Sequence, residues 1–369
     1  MIYFIILIYP FLNILISYLS QGKNMNTFSS IYCLVIIVGV IRFKSKISRR
    51  LMYILLVIIS LVILDFSREQ EYISIILYIL TICMFNIYSQ NSFDIKSFSE
   101  YINRYYIICF IIQILFLLIL WRDFTVNGLY MGWGTIVLKG PYLFPHTLAY
   151  LLFLLLFLDI FLFLSKKGWI SIFGLLMGII MFSLVILTAV RTALLGVFIL
   201  FLFCIWISIK LKKYKAIFIF SFIIFCSISL MIDYGLFEAL IDKSILAMDS
   251  NNITNGRDLI IKASLMSLDN DNILWNLLFG VGFRDLIINN QYLLGEPIHA
   301  HNDFIDIFVS YGIVSLFIYC MSFYNFAKKK FVLISLTIGI LAYSNGLYWY
   351  IDAIPMIIFS RLLFEYNYY

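Results

Sequence analysis

A few side chains in this sequence have the type and placement to act on an anionic or hydroxylic substrate. Arg191, in TAVRTALLG, sits in a very short turn between two apolar runs. A lone arginine at the rim of a helix bundle can grip a phosphate through two parallel N–H bonds, or can simply snorkel its charge to the interface. Arg257 opens GRDLIIKASLMSL, in which Leu259, Ile260, Ala263, Met266 and Leu268 recur at helical spacing. There the side chain and the helix N-terminal dipole both favour negative charge. His299 and His301 lie in EPIHAHNDFIDIFVSYG, just before a long apolar run. An H-x-H pair suggests zinc, but only His146 remains as a further histidine, so a full ligand set is hard to assemble. A neutral imidazole at His301, at a helix start, is suited to a general base; the alternative is an ordinary polar residue at that start.

Other features admit plainer readings. Asp269-Asn270-Asp271 matches a D-x-D metal-binding pattern but also reads as a turn. Gly280-Val281-Gly282 is too short for a phosphate-binding fingerprint and follows no βαβ pattern; it suits a sharp bend or close backbone approach. Asp159 is the clearest ionisable residue inside an apolar run, a functional candidate or a group paired with a neighbour.

The elements that must position these residues follow from composition. Of 369 residues, 63% are hydrophobic and 12% charged, and the mean hydropathy is +1.02. Soluble domains carry about 25% charged residues, so water-soluble domains are excluded. The chain reads as an all-α polytopic membrane bundle of about 12 transmembrane helices with one large extracytoplasmic loop. The expected spans are 2–20, 28–41, 51–66, 72–88, 106–121, 147–164, 169–188, 193–209, 216–232, 303–324, 331–343 and 353–364. The first is read as a retained span, since it lacks a basic leader and a small-residue cleavage site. All six cysteines fall inside these runs, with no disulfide framework.

With the N-terminus inside, alternate loops hold 17 of the 26 lysines and arginines, which puts both termini in the cytoplasm. Basic residues come in short clusters, unlike a nucleic-acid-binding stripe, so no nucleic acid partner is expected. Two outer loops then stand out: 122–146, with NGLYMGWG and a Gly-Pro pair, and 233–302. The latter carries nine acidic against four basic residues, so anion binding at Arg257 requires a specific pocket. A loop this long inside a bundle is usually functional. The chain divides into N-terminal helices 1–190, a region 191–330 holding the motifs, and C-terminal helices 331–369.

The order RTALLG, GR, LFGVGF and HNDFIDIFVSYGIVSLFIY resembles the O-antigen polymerase and O-antigen ligase family of bacterial envelope enzymes, over about 191–324. Two departures are that Ala189-Val190 stand where the family often has a serine, and that no aromatic residue follows Arg257 within a turn. The resemblance implies a multi-pass protein of the bacterial cytoplasmic membrane: a metal-independent, inverting glycosyltransferase without cofactor. Its donor and acceptor are implied to be undecaprenyl-diphosphate-linked glycans, in contact with membrane lipids and alongside a chain-length regulator and a flippase. Arg191 and Arg257 are implied to grip the diphosphate, with His301 at the acceptor hydroxyl; Arg284 and Asn302 are further expected substrate contacts. The lipid tail is expected in a groove between helices, with Tyr130, Trp133, Tyr142, Trp275 and Tyr292 as sugar-stacking or interface aromatics.

The function expected from this is polymerisation of lipid-linked repeat units into O-antigen or capsule. One alternative is transfer of the finished glycan to another acceptor by a ligase of the same family. Another, of a different class, is a flippase or transporter of the lipid-linked glycan; such proteins tend to place charges at the midplane, whereas Asp159, the one clear intramembrane candidate, lies towards the cytoplasmic end of its span, and no internal repeat is evident.

Overall fold

The computed structural model describes residues 2–21, 72–89, 95–124, 129–132, 135–210, 257–268 and 272–327, with single residues and pairs inside 28–35 and 212–245. The expected spans 51–66, 331–343 and 353–364 and the D-x-D at 269–271 lie outside the described residues, and 28–41 and 216–232 largely do. The elements are α1 Ile2–Ser20, α2 Tyr72–Ser89, α3 Ile95–Arg104, α4 Tyr106–Phe124, β1 Leu129–Gly132, β2 Thr135–Leu138, α5 Pro145–Ser165, α6 Trp169–Leu187, α7 Arg191–Lys210, α8 Arg257–Met266, α9 Ile273–Phe279, α10 Phe283–Leu294 and α11 Asp303–Ala327. By length and composition alone, five helices among the described residues could cross a membrane with α11 counted whole, or six if the α3–α4 pair, bent by 76°, is one span. The chain is a multi-pass, almost wholly helical membrane protein.

One hairpin departs from the all-α expectation. β1 and β2 pair antiparallel, Leu129 with Leu138 and Gly132 with Thr135. The signal was present: Thr135, Ile136 and Val137 favour an extended chain beside Gly128, Gly132 and Gly134.

The chain forms two compact units. The first comprises Met1–Ser29, Asp94–Leu246 and Pro355–Tyr369, the second Ser30–Phe93 and Ala247–Ile354. In the first, α5 is apolar on every side and buried almost throughout, as a helix without a polar face must be. α6 packs against it through Gly174 and Gly178, four residues apart. A Cβ on Gly174 would stand 3.2 Å from the Asp159 carbonyl oxygen, and one on Gly178 3.5 Å from Asp159 Cβ. Small residues at this spacing let membrane helices approach closely. α3 is a short amphipathic helix whose Phe98 and Ile102 are buried, with Tyr3 of α1 against Phe98 at 5.4 Å. The Gly-Pro segment of the first expected outer loop is tied to α1: Ser17 Oγ donates to the Pro141 carbonyl at 2.8 Å, and the Tyr142 hydroxyl to Asn13 Oδ1 at 2.8 Å.

In the second unit α11 is broken. Gly312 has φ 79° and ψ 178°, so residues 303–311 and 313–327 are separate arms. On a straight helix Asp303 and Tyr319 would stand about 24 Å apart at 1.5 Å per residue. Instead the Tyr319 hydroxyl donates to Asp303 Oδ2 at 2.5 Å, and the rings of Phe304 and Tyr319 are 5.9 Å apart. The first arm therefore folds back along the second, which corrects the expectation of one continuous span over 303–324. Nine helical residues reach about 13 Å, too short to cross a hydrocarbon core of about 30 Å. α2 runs alongside this break. Tyr311 Oη donates to Ser74 Oγ at 2.7 Å, Tyr78 Oη to the Ser315 carbonyl at 2.7 Å, and Asn86 Nδ2 to Ser322 Oγ at 2.9 Å.

Candidate active site

The break in α11 is held by the Gly-Val-Gly segment between α9 and α10. A helix end leaves carbonyls without intrahelical partners, and membrane proteins tolerate broken backbone only where protein satisfies it. Here the Val281 amide donates to the Val309 carbonyl at 2.8 Å and the Gly282 amide to the Ser310 carbonyl at 3.0 Å. A Cβ on Gly280 would overlap the backbone of Ser310 and Tyr311, and one on Gly312 the backbone of Leu278 and Phe279. The close approach expected at Gly280 to Gly282 is thus observed, and it joins two motifs that lie some thirty residues apart in the chain, LFGVGF and VSYGI.

This clamp leads into the histidines. Phe283, which follows Gly282 and opens α10, is buried with its ring 6.4 Å from that of His299. Asn290, one face further along α10, donates through Nδ2 to Ser264 Oγ of α8 at 2.9 Å and to the Ile298 carbonyl at 2.7 Å. One buried amide therefore ties the helix that begins at Arg257 to the segment that carries His299.

The segment 299–306 is a compact hydrogen-bonded turn. Asn302 Oδ1 accepts the amides of Phe304 at 3.0 Å and Ile305 at 3.3 Å, the usual work of an asparagine N-cap. His301, just before it, has φ 53°, a left-handed conformation that costs a non-glycine residue about 1–2 kcal/mol. Asp306, fully buried one turn into the arm, accepts the Ala300 amide on Oδ1 at 2.8 Å, and its Oδ2 stands 2.9 Å from His299 Nδ1. The His301 amide lies 3.2 Å from the same Nδ1. Nδ1 can donate to the carboxyl group or accept from the amide, but not both, and the contact with Asp306 is the shorter. The rings of His299 and His301 are 4.2 Å apart; His299 is 8% exposed and His301 half-buried.

The arginines occupy the places their sequences suggested. Arg191 is the first residue of α7, and the Val190 carbonyl accepts the Leu194 amide at 3.1 Å. The preceding turn is buried and tight: Thr188 Oγ1 donates to the Val185 carbonyl at 2.6 Å, and Ala189 has φ 49°. Arg257 is the first residue of α8 and half-buried; Arg284 is exposed in the first turn of α10. Among the described residues the structure brings together His299, His301, Asn302 and Asp306, with Arg257 on a helix tied to them through Asn290. Arg191 belongs to the other compact unit.

Below Arg191 lies an apolar cavity of about 470 Å³ within the first unit, walled by Leu194, Val197, Phe198, Phe182, Gly178 and Asp159. Its α7 wall starts one turn from the arginine, on the face that i and i+3 share. Asp159 is paired: Gln113 Nε2 donates to its Oδ1 at 2.6 Å, while Asp159 Oδ2 and Gln113 Oε1 have no hydrogen-bond partner among the described residues.

Several expectations need correction. α8 forms where its periodicity predicts, but within it Ala263 and Ser264 are buried while Leu259 and Met266 are exposed; Ser267 and Leu268, just beyond it, are buried. Small side chains admit α10 close enough for the Ser264–Asn290 bond. Tyr142 is buried and bonded to Asn13, so it is not a sugar platform. Trp275 and Tyr292 are exposed at 46% and 87%; Tyr130 lies in β1 and Trp133 is outside the described residues. Sequence reasoning missed Asp306 altogether; its only visible sign was a second acidic residue in the first turn of an apolar helix.

Residues 176–320 match the sequence model of the O-antigen ligase family. No curated protein and no solved structure matches the chain. The matched stretch runs from within α6 to the second arm of α11 and contains both helix-starting arginines, the glycine clamp and the histidine turn. Over residues 176–320, well under half of its length, the chain is similar to the O-antigen ligase family.

Proposed function

We propose that this protein polymerises undecaprenyl-diphosphate-linked oligosaccharide repeat units into O-antigen or capsule on the outer face of the bacterial cytoplasmic membrane, with both termini cytoplasmic. The observation that carries this reading is the placement of Arg191: a guanidinium at a helix start, with an apolar cavity beginning one turn away. A lipid diphosphate has that division of charge and hydrocarbon. Arg191 and Arg257 bind the diphosphate, and Arg284 and Asn302 contact the glycan-bearing end. Trp275 and Tyr292 offer exposed rings for stacking on sugars.

In the reaction the acceptor hydroxyl attacks the anomeric carbon from the face opposite the diphosphate. The C–O bond to phosphorus-bound oxygen breaks, its electron pair leaves with undecaprenyl diphosphate, and the hydroxyl proton passes to His301. The leaving group is already a stable anion, so the chemistry calls for charge stabilisation by arginine more than for an acid, and needs neither metal nor cofactor. A sugar hydroxyl is weakly nucleophilic at neutral pH and needs a base.

The matched family is described as O-antigen ligase, which favours a second reading, transfer of a finished glycan to another acceptor. Deleting the gene separates the two. A polymerase deletion abolishes long chains, whereas a ligase deletion leaves them on the carrier lipid. Purified protein that lengthens lipid-linked repeat units in detergent excludes pure transport. Activity should be lost in Arg191→Ala, Arg257→Ala and His301→Ala at normal expression; full activity in all three would overturn the assignment.

A further inference from the structure

We infer that Asp306 and His299 form a buried positioning pair for His301. The inference rests on the reading of His301 as the base, and extends it to two residues with no assigned role. One carboxylate holds both sides of the turn: Oδ1 takes the Ala300 amide and Oδ2 the His299 Nδ1–H. Both bonds end within two residues of His301, whose left-handed backbone is otherwise unfavourable. They hold the His299 ring against the His301 ring, 4.2 Å between centroids.

The same arrangement fixes chemistry as well as shape. With its Nδ1 proton on Asp306, His299 carries its lone pair on Nε2; a carboxylate bonded to one ring nitrogen sets the tautomer of the whole ring. When His301 takes up the acceptor's proton it becomes a cation beside His299. Asp306, bonded to His299, is placed to offset that cation. No proton moves to His299 in this scheme; it transmits position and charge.

The pair makes a sharp prediction for Asp306→Asn. An asparagine has one oxygen, and the Ala300 amide can only donate, so the oxygen must face Ala300. The new NH2 then faces His299 Nδ1, which must become an acceptor, and the ring flips to the Nε2–H form. The chain has three histidines, so full-length protein labelled with 15N-histidine in nanodiscs gives three imidazole spin systems, assigned by removing each in turn. The expected result is His299 as Nδ1–H in the parent and Nε2–H in Asp306→Asn, with the His301 ring signals displaced in the variant. A parent His299 in the Nε2–H form, an unflipped variant, or His301 signals that stay put each overturns the inference.

A second arm uses cells lacking the gene and complemented with variants, reading polymer at equal protein level. Asp306→Asn should lower polymer about tenfold or more, a part of the contribution a general base makes, and Asp306→Glu should recover part of it. Unchanged polymer in Asp306→Asn overturns the inference. If Asp306→Asn does not accumulate, His299→Asn replaces it, because its side-chain N–H can still reach Asp306; it should exceed His299→Ala, and equality overturns the pair. Normal polymer in His301→Ala instead refutes the base assignment, while the tautomer measurement still judges the pair by itself.

Discussion

The glycine clamp offers the most direct test of how this unit is built. Gly280 has φ 78° and ψ 177°, a region open to glycine alone, and an added Cβ would overlap the Ser310 and Tyr311 backbone. Gly280→Ala therefore carries a conformational cost of about 1–3 kcal/mol. It also pushes apart two backbones joined by the Val281–Val309 and Gly282–Ser310 bonds, at about 1–3 kcal/mol for each buried group left unsatisfied. Gly295 is the control: its φ is 83°, yet nothing lies within 4 Å of its added Cβ. Gly295→Ala should cost only the left-handed backbone, about 1–2 kcal/mol. Thermal midpoints of purified protein in one detergent compare the two. At about 2–4 °C per kcal/mol, Gly280→Ala should fall at least about 2 °C beyond Gly295→Ala. Gly312→Ala should match it, and the double variant should fall short of the sum, because one clamp can be opened only once. Equal shifts for Gly280→Ala and Gly295→Ala, or strict additivity at 280 and 312, would refute the backbone contact.

Other substitutions probe the remaining polar contacts. Gln113→Leu removes the donor to Asp159 Oδ1 and should lower the thermal midpoint by the cost of an unsatisfied buried acceptor, about 1–3 kcal/mol; adding Asp159→Leu should recover most of it. A double variant no better than Gln113→Leu would show that Asp159 has another essential contact. Tyr319→Phe leaves Asp303 Oδ2 without its hydroxyl and should destabilise the fold-back of α11 by a similar amount, read in the same assay. Arg191→Lys keeps the charge but loses the two-pronged grip, so polymer in complemented cells should drop markedly below the parent while protein level is unchanged; parental polymer would indicate a snorkelling charge.

The apolar runs were enough to find α1, α5, α6 and α7 nearly to the residue, because a membrane helix needs little beyond length and hydropathy. The helix-starting positions of Arg191 and Arg257 were legible for the same reason, as the edges of such runs. What was not legible depends on contacts without a period. Asp306 meets His299 across a helix cap, seven residues back, and no heptad or alternation marks that. The break at Gly312 hides in an apolar run that hydropathy scores as one span, with only Tyr311-Gly312 to announce it. On α8 the stripe is split, with Ala263 and, just past the helix, Leu268 buried but Leu259 and Met266 exposed, because small size and the Ser264–Asn290 bond choose the packed face.

The fold-back of α11 explains why these features occur together. A continuous helix over 303–327 would carry Asp303 and Asp306 along one span without their present partners, at several kcal/mol for each unsatisfied group. Breaking the helix at Gly312 turns Tyr319 onto Asp303 and leaves Asp306 to accept the donors of the histidine turn. The break itself exposes two carbonyls, and these the Gly-Val-Gly amides satisfy. Only a segment without a side chain at 280 can come that close, and that segment is what sets Phe283 against His299. Buried acids, broken helix, glycine pair and histidine turn are therefore one arrangement. Loss of the clamp should disturb the His299 and His301 ring signals as surely as loss of Asp306 does.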